Sequence, residues 1–333
     1  MIVPPNRIPV LLVTGFLGSG KSTLVNALVR QPALVGSVVI VNEFGQVGID
    51  HHLIATLDER LVLLDSGCLC CAVHGDLVAR LRELFQRSLA GEIAPIRVVI
   101  VETSGLADVA PLIHSLQADF FLAQRYVLAG VSTLVDVTEV ERQMASFPEA
   151  VAQVAQADLL LLTRTDRVEA GEVARVREYL EAFNPLAPVV EAPFGRIEGE
   201  RLLGLRSVSG LRFRPLLPAR AVCHTHGVSA AVLSADEPLP WGAFTVALDR
   251  LLSAQGEALL RIKGRLNVRE LPGPRVVQAV HHRRYPNQDQ ADWDAGERPC
   301  SHLVVIGRDL ADGVVEAAFA GMLAPLSVPM EDH

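Results

Sequence analysis

The chain has 333 residues, of which 50% are hydrophobic and 20% are charged, and its formal net charge at pH 7 is −8. This length exceeds that of one typical compact domain, so we expect two domains with sizeable apolar cores. The acidic balance and the lack of a Lys/Arg block argue against a nucleic-acid partner. No apolar run approaches the roughly 20 residues of a membrane helix, which argues against a membrane partner.

The N-terminus and the cysteines indicate the cellular compartment. Residues 1–7 lack the charged segment, the apolar stretch and the cleavage site of a secretory signal. Three of the five cysteines crowd into Cys68-Leu-Cys70-Cys71. An odd, clustered count without a signal peptide is typical of reduced thiols that bind metal or do redox chemistry, so we expect a cytoplasmic protein.

The first half of the chain alternates short apolar runs with amphipathic stretches. The runs have the composition of strands buried on both faces of a parallel sheet, and they cover residues 8–13, 38–41, 61–64, 96–101 and 159–162. Helical patterns lie between them; one has Asp76 as its expected N-cap and an apolar face from Leu77 to Leu89. The alternation predicts an α/β domain with a doubly wound, mostly parallel sheet over residues 1–205.

The pattern changes after residue 204. Residues 206–220 mix arginine, proline and apolar residues without a period, and we interpret them as a linker. Residues 221–333 contain strand-like segments at 222–233, 258–262, 275–282 and 302–306, and helical segments at 241–252 and 311–322. This predicts a smaller α+β C-terminal domain, in which Arg261 and Lys263 mark a basic patch that could dock a partner.

The loop after the first strand carries the strongest motif. Gly15-Phe-Leu-Gly18-Ser19-Gly20-Lys21-Ser22 matches the Walker A pattern of P-loop NTPases, with a strand before it and a helix from Thr23 after it. Its backbone N–H groups point at phosphates, and the helix N-terminus adds its dipole. Lys21 is expected to reach the β- and γ-phosphates, and the Ser22 hydroxyl to hold Mg²⁺. The predicted nucleotide contacts here are Gly15, Gly18, Ser19, Gly20, Lys21, Ser22 and Thr23.

A second carboxylate is expected at the end of another strand. Residues 96–101 run into Glu102-Thr-Ser-Gly105, which resembles the Asp-x-x-Gly switch of GTPases with Glu in place of Asp. Glu102 is the expected partner of Mg²⁺, and the N–H of Gly105 is expected to meet the γ-phosphate. We therefore group Lys21, Ser22, Glu102 and Gly105 as the catalytic set.

The run Leu159–Leu162 leads into Thr163-Arg164-Thr165-Asp166, at the position of the base-recognition motif of GTPases. The Asp of that motif accepts hydrogen bonds from guanine N1–H and N2–H₂, a donor pair that adenine lacks. Arg164 replaces the usual Lys, and its stem can still lie along the base plane. GTP is therefore the expected nucleotide; the alternative is that Asp166 only caps the following segment.

Cys68, Cys70 and Cys71 form the second strong signal. Three thiolates this close in sequence can converge on one soft cation such as Zn²⁺, and also on Cu(I) or Co²⁺. The alternative is that they are buried as small hydrophobic residues. His224 and His226 would share one face of a strand and form a weak second metal pair, or be solvated or core histidines.

Six motifs in order carry a family resemblance. They are residues 15–24, Val-Asn-Glu-Phe-Gly-x-Val-Gly-Ile-Asp (41–50), Gly-Cys-Leu-Cys-Cys (67–71), Glu-Thr-Ser-Gly-Leu-Ala (102–107), 163–166 and Leu-Leu-Arg-Ile-Lys-Gly (259–264). Together they resemble the CobW-type family of P-loop GTPases, relatives of the nickel-insertion GTPases of urease and hydrogenase maturation. The His-rich tract that many relatives carry is absent from this sequence.

The resemblance implies a zinc- or cobalt-responsive GTPase that delivers metal to a client metalloenzyme or helps to activate it. It places Glu43 in the first switch, facing either the nucleotide Mg²⁺ or the transition metal, and makes the three cysteines the metal ligands. No arginine finger or catalytic Gln is evident, so hydrolysis is expected to be slow and stimulated by metal or a partner. The alternatives are an ATP-dependent P-loop enzyme and a non-enzymatic zinc sensor tuned by nucleotide, and a homo-oligomer is possible.

Overall fold

The protein is described here by a computed structural model that covers residues 7–42, 61–64, 72–203, 227–293 and 298–325. The chain divides into two compact units. The first comprises residues 1–176 and 189–207, and the second comprises residues 177–188 and 208–333.

The first unit is built on a parallel sheet. Its strands are β1 (Ile8–Gly15), β2 (Ser37–Asn42), β3 (Leu61–Leu64), β4 (Val98–Glu102), β5 (Tyr126–Asp136), β6 (Leu159–Thr163) and β7 (Val189–Glu191). Within the described residues they form one seven-stranded sheet in the order β3-β2-β4-β1-β5-β6-β7. Every neighbouring pair is parallel. β5 and β7 are additions to the strands that the sequence predicts.

Helices follow most of these strands. Up to residue 203 they are α1 (Lys21–Leu28), α2 (Ala72–Leu89), α3 (Ala110–Ala118), α4 (Phe120–Arg125), α5 (Val140–Ser146), α6 (Pro148–Ala155), α7 (Ala170–Phe183) and α8 (Gly199–Leu203), with 3₁₀ turns at Pro32–Leu34, Thr165–Arg167 and Pro193–Gly195. α2 begins at Ala72, so Asp76 lies inside the helix and the predicted N-cap is wrong. Leu89 is 79% exposed, so the buried face of α2 ends before it.

Both faces of the sheet are covered. Residues 10–13 of β1 are 0% exposed at four consecutive positions, which requires packing partners above and below the strand. On one face Leu24 and Leu28 of α1 pack with Leu11 and Val13. Each such buried side chain contributes about 1.5–3 kcal/mol. This packing holds α1 against the centre of the sheet, and it confirms the predicted doubly wound α/β fold.

The second unit has an antiparallel sheet. Its strands are β8 (Val228–Ala235), β9 (Leu259–Leu266), β10 (Arg275–Val280), β11 (Arg283–Arg284), β12 (Gln288–Asp289), β13 (Ser301–Arg308) and β14 (Ala324–Pro325). The order in the described residues is β11-β10-β9-β13-β8-β14, and β12 pairs with β10. α9 (Trp241–Gln255) and α10 (Val314–Ala318) pack on it, with the rings of Phe244 and Phe319 centred 5.4 Å apart. The predicted α+β domain is confirmed, although α10 is shorter than the helical pattern at 311–322.

The structure bears on the predicted basic patch and on the expectation that no helix spans a membrane. Arg261 and Lys263 are only 1% and 6% exposed, so the basic patch suggested as a docking surface is wrong. In the part of the chain that the structure describes, no helix is both long and apolar enough to cross a bilayer.

Candidate nucleotide and metal site

The site residues meet at the carboxyl edge of the parallel sheet. β1 lies between β4 and β5, and in a doubly wound sheet ligands bind outside the carboxyl ends of such central strands. Gly15 ends β1, Glu102 ends β4 and Thr163 ends β6. Three motifs far apart in the sequence are therefore brought to one edge.

The P-loop connects β1 to α1. Gly18, Ser19 and Gly20 lie in the loop, Lys21, Ser22 and Thr23 begin α1, and Gly20 occupies the N-cap with a left-handed φ of 97°. Gly20 has no side chain with which to cap the helix. The N–H groups of the first turn therefore face outward at the positive end of the helix dipole, an arrangement that accepts a phosphate.

The Lys21 ammonium lies over this loop. Its Nζ donates to the carbonyl of Gly15 at 2.9 Å and to that of Phe16 at 3.1 Å. The side chain is thus folded along the P-loop, and its positive charge adds to that of the helix N-terminus where phosphates would bind.

A direct contact joins Ser22 to Glu102. The Ser22 Oγ donates to the Glu102 Oε1 at 2.7 Å, and Glu102 is only 4% exposed. A hydroxyl and a carboxylate oxygen at this distance are two of the hard oxygen ligands that Mg²⁺ prefers. The residues present therefore fit a magnesium ion at the junction of α1 and β4.

The loop after β4 packs directly on the P-loop. A Cβ added to Gly105 would lie 2.8 Å from the backbone N of Leu17 and 2.6 Å from its Cδ2, so only glycine fits there. Gln153 of α6 holds the loop from the other side, because its Nε2 donates to the carbonyls of Gly105 and Ala107, each at 3.1 Å. Gln153 has no local signal in the sequence, since its partners are far from it along the chain.

The loop after β6 is also tied to the P-loop. The Thr163 Oγ1 donates to the Ser19 carbonyl at 3.0 Å. The Arg164 Nη2 donates to the Gly18 carbonyl at 2.8 Å, and its Nη1 lies 2.7 Å from the Asp136 Oδ2. The guanidinium is therefore engaged by the P-loop and by the end of β5, contacts that the motif alone does not predict.

Asp136 is the site residue that sequence reasoning missed. It is 2% exposed, and its Oδ1 accepts hydrogen bonds from the N–H of Thr138 at 3.0 Å and from its Oγ1 at 2.7 Å. The signal was present, because residues 126–136 form an apolar, β-branched run that ends in an acid, as the run before Glu102 does.

Asp166 lies in the 3₁₀ turn Thr165–Arg167 and is exposed. Among the described residues its carboxylate accepts no hydrogen bond, and the next helix starts only at Ala170. The alternative that Asp166 only caps a segment therefore finds no support, and the carboxylate is accessible to a ligand beside the P-loop.

The predicted transition-metal ligands, namely Glu43, Cys68, Cys70, Cys71, His224 and His226, lie outside the described residues. The described strands before Glu43 and before the cysteines are β2, which ends at Asn42, and β3, which ends at Leu64; these two strands are parallel neighbours. Within the described ranges no group of three His, Cys, Asp or Glu side chains could hold a metal ion.

Comparison with known proteins assigns both halves of the chain. Residues 9–191 match the family described as CobW/HypB/UreG, nucleotide-binding domain, and residues 228–323 match the cobalamin synthesis protein cobW C-terminal domain. The chain is 35% identical over 327 residues to the zinc chaperone YjiA of Escherichia coli (strain K12), covering 95% of this chain and 99% of that protein. It is 32% identical to the zinc chaperone CobW of Pseudomonas aeruginosa, covering 93% of this chain and 90% of that protein.

A solved structure supports the same assignment. The crystal structure of Zn(II)-bound YjiA GTPase from E. coli superimposes with a TM-score of 0.75 at 30% identity, covering 95% of this chain and 99% of that one. The family resemblance and the fold class predicted from the sequence are thereby confirmed. The chain belongs to the CobW/HypB/UreG family, with the cobW C-terminal domain following the nucleotide-binding domain.

Proposed function

We propose that this protein hydrolyses GTP and couples the hydrolysis to the delivery of zinc to a client metalloprotein. The observation that carries the proposal is the 2.7 Å contact between Ser22 and Glu102 beside the P-loop. It occurs in a chain that is 35% identical, over 95% of its length, to a zinc chaperone. The proposal includes a cytoplasmic location and the division into domain 1–205, linker 206–220 and domain 221–333.

The phosphates bind at the N-terminus of α1. Lys21 neutralises the β- and γ-phosphates, while the N–H groups of the P-loop and of Thr23 donate to the phosphate oxygens. Ser22 and Glu102 hold Mg²⁺, which when bound neutralises charge on the same oxygens. Gly105, kept close to Leu17 by Gln153, offers its N–H to the γ-phosphate.

The base binds beside the loop after β6. Asp166 accepts hydrogen bonds from guanine N1–H and N2–H₂, which selects GTP over ATP. Thr163 and Arg164 support this role by bonding the loop to the Ser19 and Gly18 carbonyls. The distance between the phosphate cradle and the base-reading carboxylate is thereby set by two direct links.

Zinc binds to Cys68, Cys70 and Cys71, with Glu43 as a further ligand. α2 begins at Ala72, directly after the cysteines, so the positive end of its dipole favours the thiolate form that metals require. Thiolates accept Co²⁺ as well, so cobalt is a second cargo of the same site. His224 and His226 form a separate, weaker pair.

Nucleotide and metal are coupled because the motifs of both sites follow strands of one parallel sheet, which all end at the same edge. GTP orders the loops that follow β2 and β4, and its hydrolysis releases them and weakens the metal site. Gln153 and Arg164 are both engaged in holding loops, which supports slow hydrolysis until metal or a partner stimulates it.

The test is turnover of GTP and of ATP with and without zinc. We expect GTP hydrolysis to exceed ATP hydrolysis at equal concentration, and zinc to change the GTP rate. Equal use of both nucleotides would favour a general ATP-dependent enzyme instead. A GTP rate that zinc does not alter, even with a client present, would favour a sensor without metal-coupled catalysis.

A further inference from the structure

The loop that follows β7 exposes a large aromatic side chain. Phe194 is 63% exposed and has a left-handed φ of 55°. This backbone conformation is uncommon for a bulky residue and persists only where the surrounding structure imposes it. The loop thus holds the ring at the surface in a strained backbone conformation, which solvent exposure alone does not explain.

Contacts on both sides of Phe194 fix the loop. A Cβ added to Gly195 would lie 2.9 Å from both the N and the Cα of Leu24, so the loop sits directly on the first turn of α1. On the other side, the Ala192 N–H donates to the Leu162 carbonyl of β6 at 2.8 Å. The Gly195 N–H closes the turn on the Ala192 carbonyl at 3.0 Å.

These anchors place Phe194 beside the base-reading loop. β6 and β7 are parallel neighbours, with Leu162 opposite Glu191, so the loops that carry Asp166 and Phe194 leave the same edge of the sheet. Arg164 ties the first loop to Gly18, and Gly195 seats the second on α1. A nucleotide whose phosphates lie at the start of α1 projects its base past the P-loop toward these two loops.

We propose that the ring of Phe194 stacks on the nucleotide base whose edge Asp166 reads. The inference rests on the proposed function for the position of the nucleotide. Stacking on an aromatic ring accepts any base, because every base has a π-face, whereas a carboxylate distinguishes guanine by its donors. Phe194 therefore contributes affinity for any base, and Asp166 contributes selectivity for guanine. Arg196, whose Cζ lies 6.0 Å from the ring centroid, adds a positive charge near the polyanionic nucleotide.

The test measures dissociation constants for GTP, ATP and inorganic tripolyphosphate with Phe194→Ala, Phe194→Trp and Asp166→Asn. Phe120→Ala is the matched control, because Phe120 is 79% exposed on α4, away from the carboxyl edge of β6 and β7. We expect Phe194→Ala to raise the dissociation constants for GTP and for ATP by similar factors, roughly 5- to 100-fold. Tripolyphosphate binding stays unchanged, Phe194→Trp retains affinity, and Phe120→Ala matches the wild type.

Different results would contradict the stacking role of Phe194 and the guanine selectivity of Asp166. If Phe194→Ala leaves the affinity for both nucleotides unchanged, the stacking role is wrong, and the exposed ring serves another purpose such as contact with a protein. If Phe194→Ala weakens the binding of tripolyphosphate as much as that of the nucleotides, the substitution has disturbed the P-loop, and the stacking role is again overturned. If Asp166→Asn leaves the GTP-to-ATP ratio unchanged while Phe194→Ala weakens both, stacking stands and the guanine assignment fails.

Discussion

At the scale of single residues, the site depends on a few polar groups that meet from distant parts of the chain. Ser22 opens a helix and Glu102 closes a strand, yet their oxygens lie 2.7 Å apart. Both residues were predicted from local patterns, because each follows a recognisable strand. Asp136 obeys the same rule of an acid at a strand end, but the run before it was not recognised as a strand.

Ser22→Ala and Glu102→Gln should each lower kcat for GTP by about 100-fold at saturating nucleotide. Ser22→Ala removes a proposed oxygen ligand of Mg²⁺, and Glu102→Gln replaces a charged carboxylate ligand with a neutral amide. Both leave the shape of the site nearly intact. The measurement is steady-state phosphate release over a magnesium titration, with the exposed Glu83→Gln on α2 as the control. A variant that retains wild-type kcat across that titration would exclude its residue from the magnesium site.

At the scale of elements, the loop after β4 and the P-loop form one packed unit. The approach of Gly105 to the Leu17 backbone leaves no room for a side chain, and Gln153 clamps the loop from α6. The sequence predicted that Gly105 faces the γ-phosphate, but it did not reveal the clamp. Gln153 looks like any helical glutamine until α6 is packed on the sheet.

Gly105→Ala should raise the dissociation constant for GTP by roughly 10-fold, because the new methyl forces the two loops apart and misplaces the N–H donors. Gly171→Ala on α7 is the matched control, since a Cβ there would meet no atom within 4 Å. Calorimetric titration with GTP measures the effect. Equal affinities for the two variants would show that the close packing of Gly105 does not govern nucleotide binding.

At the scale of the whole molecule, the proposed function links two chemistries on one sheet edge. The proposed phosphate site is built from β1, β4 and α1, and in the sequence the cysteine motif follows β3 and precedes α2. β2 lies between β4 and β3 and is parallel to both. The carboxyl ends of these three strands are therefore neighbours, so a nucleotide-dependent change at the end of β4 or β2 occurs close to the end of β3, which the cysteine motif follows.

Changing both Cys70 and Cys71 to Ser should abolish tight zinc binding and leave the dissociation constant for GTP within about twofold. Metal analysis of the purified protein and competition with a zinc chelator measure the first effect, and GTP titration measures the second. In the wild type, zinc affinity should fall as the pH is lowered, because the thiolates must lose protons to bind metal. Cys300→Ser is the control, since Cys300 lies in the C-terminal unit next to β13. Unchanged zinc affinity in the double variant would exclude the cluster as the site.

The sequence by itself determined the P-loop class, the family and the α/β fold, because the residues within each motif or strand that carries them are contiguous. A P-loop needs a strand, an eight-residue loop motif with four defined positions, and a helix, all adjacent in the chain. Only the tertiary structure decided the links that turn these motifs into a site. Arg164 meets Asp136, Gln153 meets Gly105, and Gly195 meets Leu24 because strands distant in sequence are neighbours in the sheet. Strand order and packing arise from the burial of the whole core, so no local pattern could reveal these contacts.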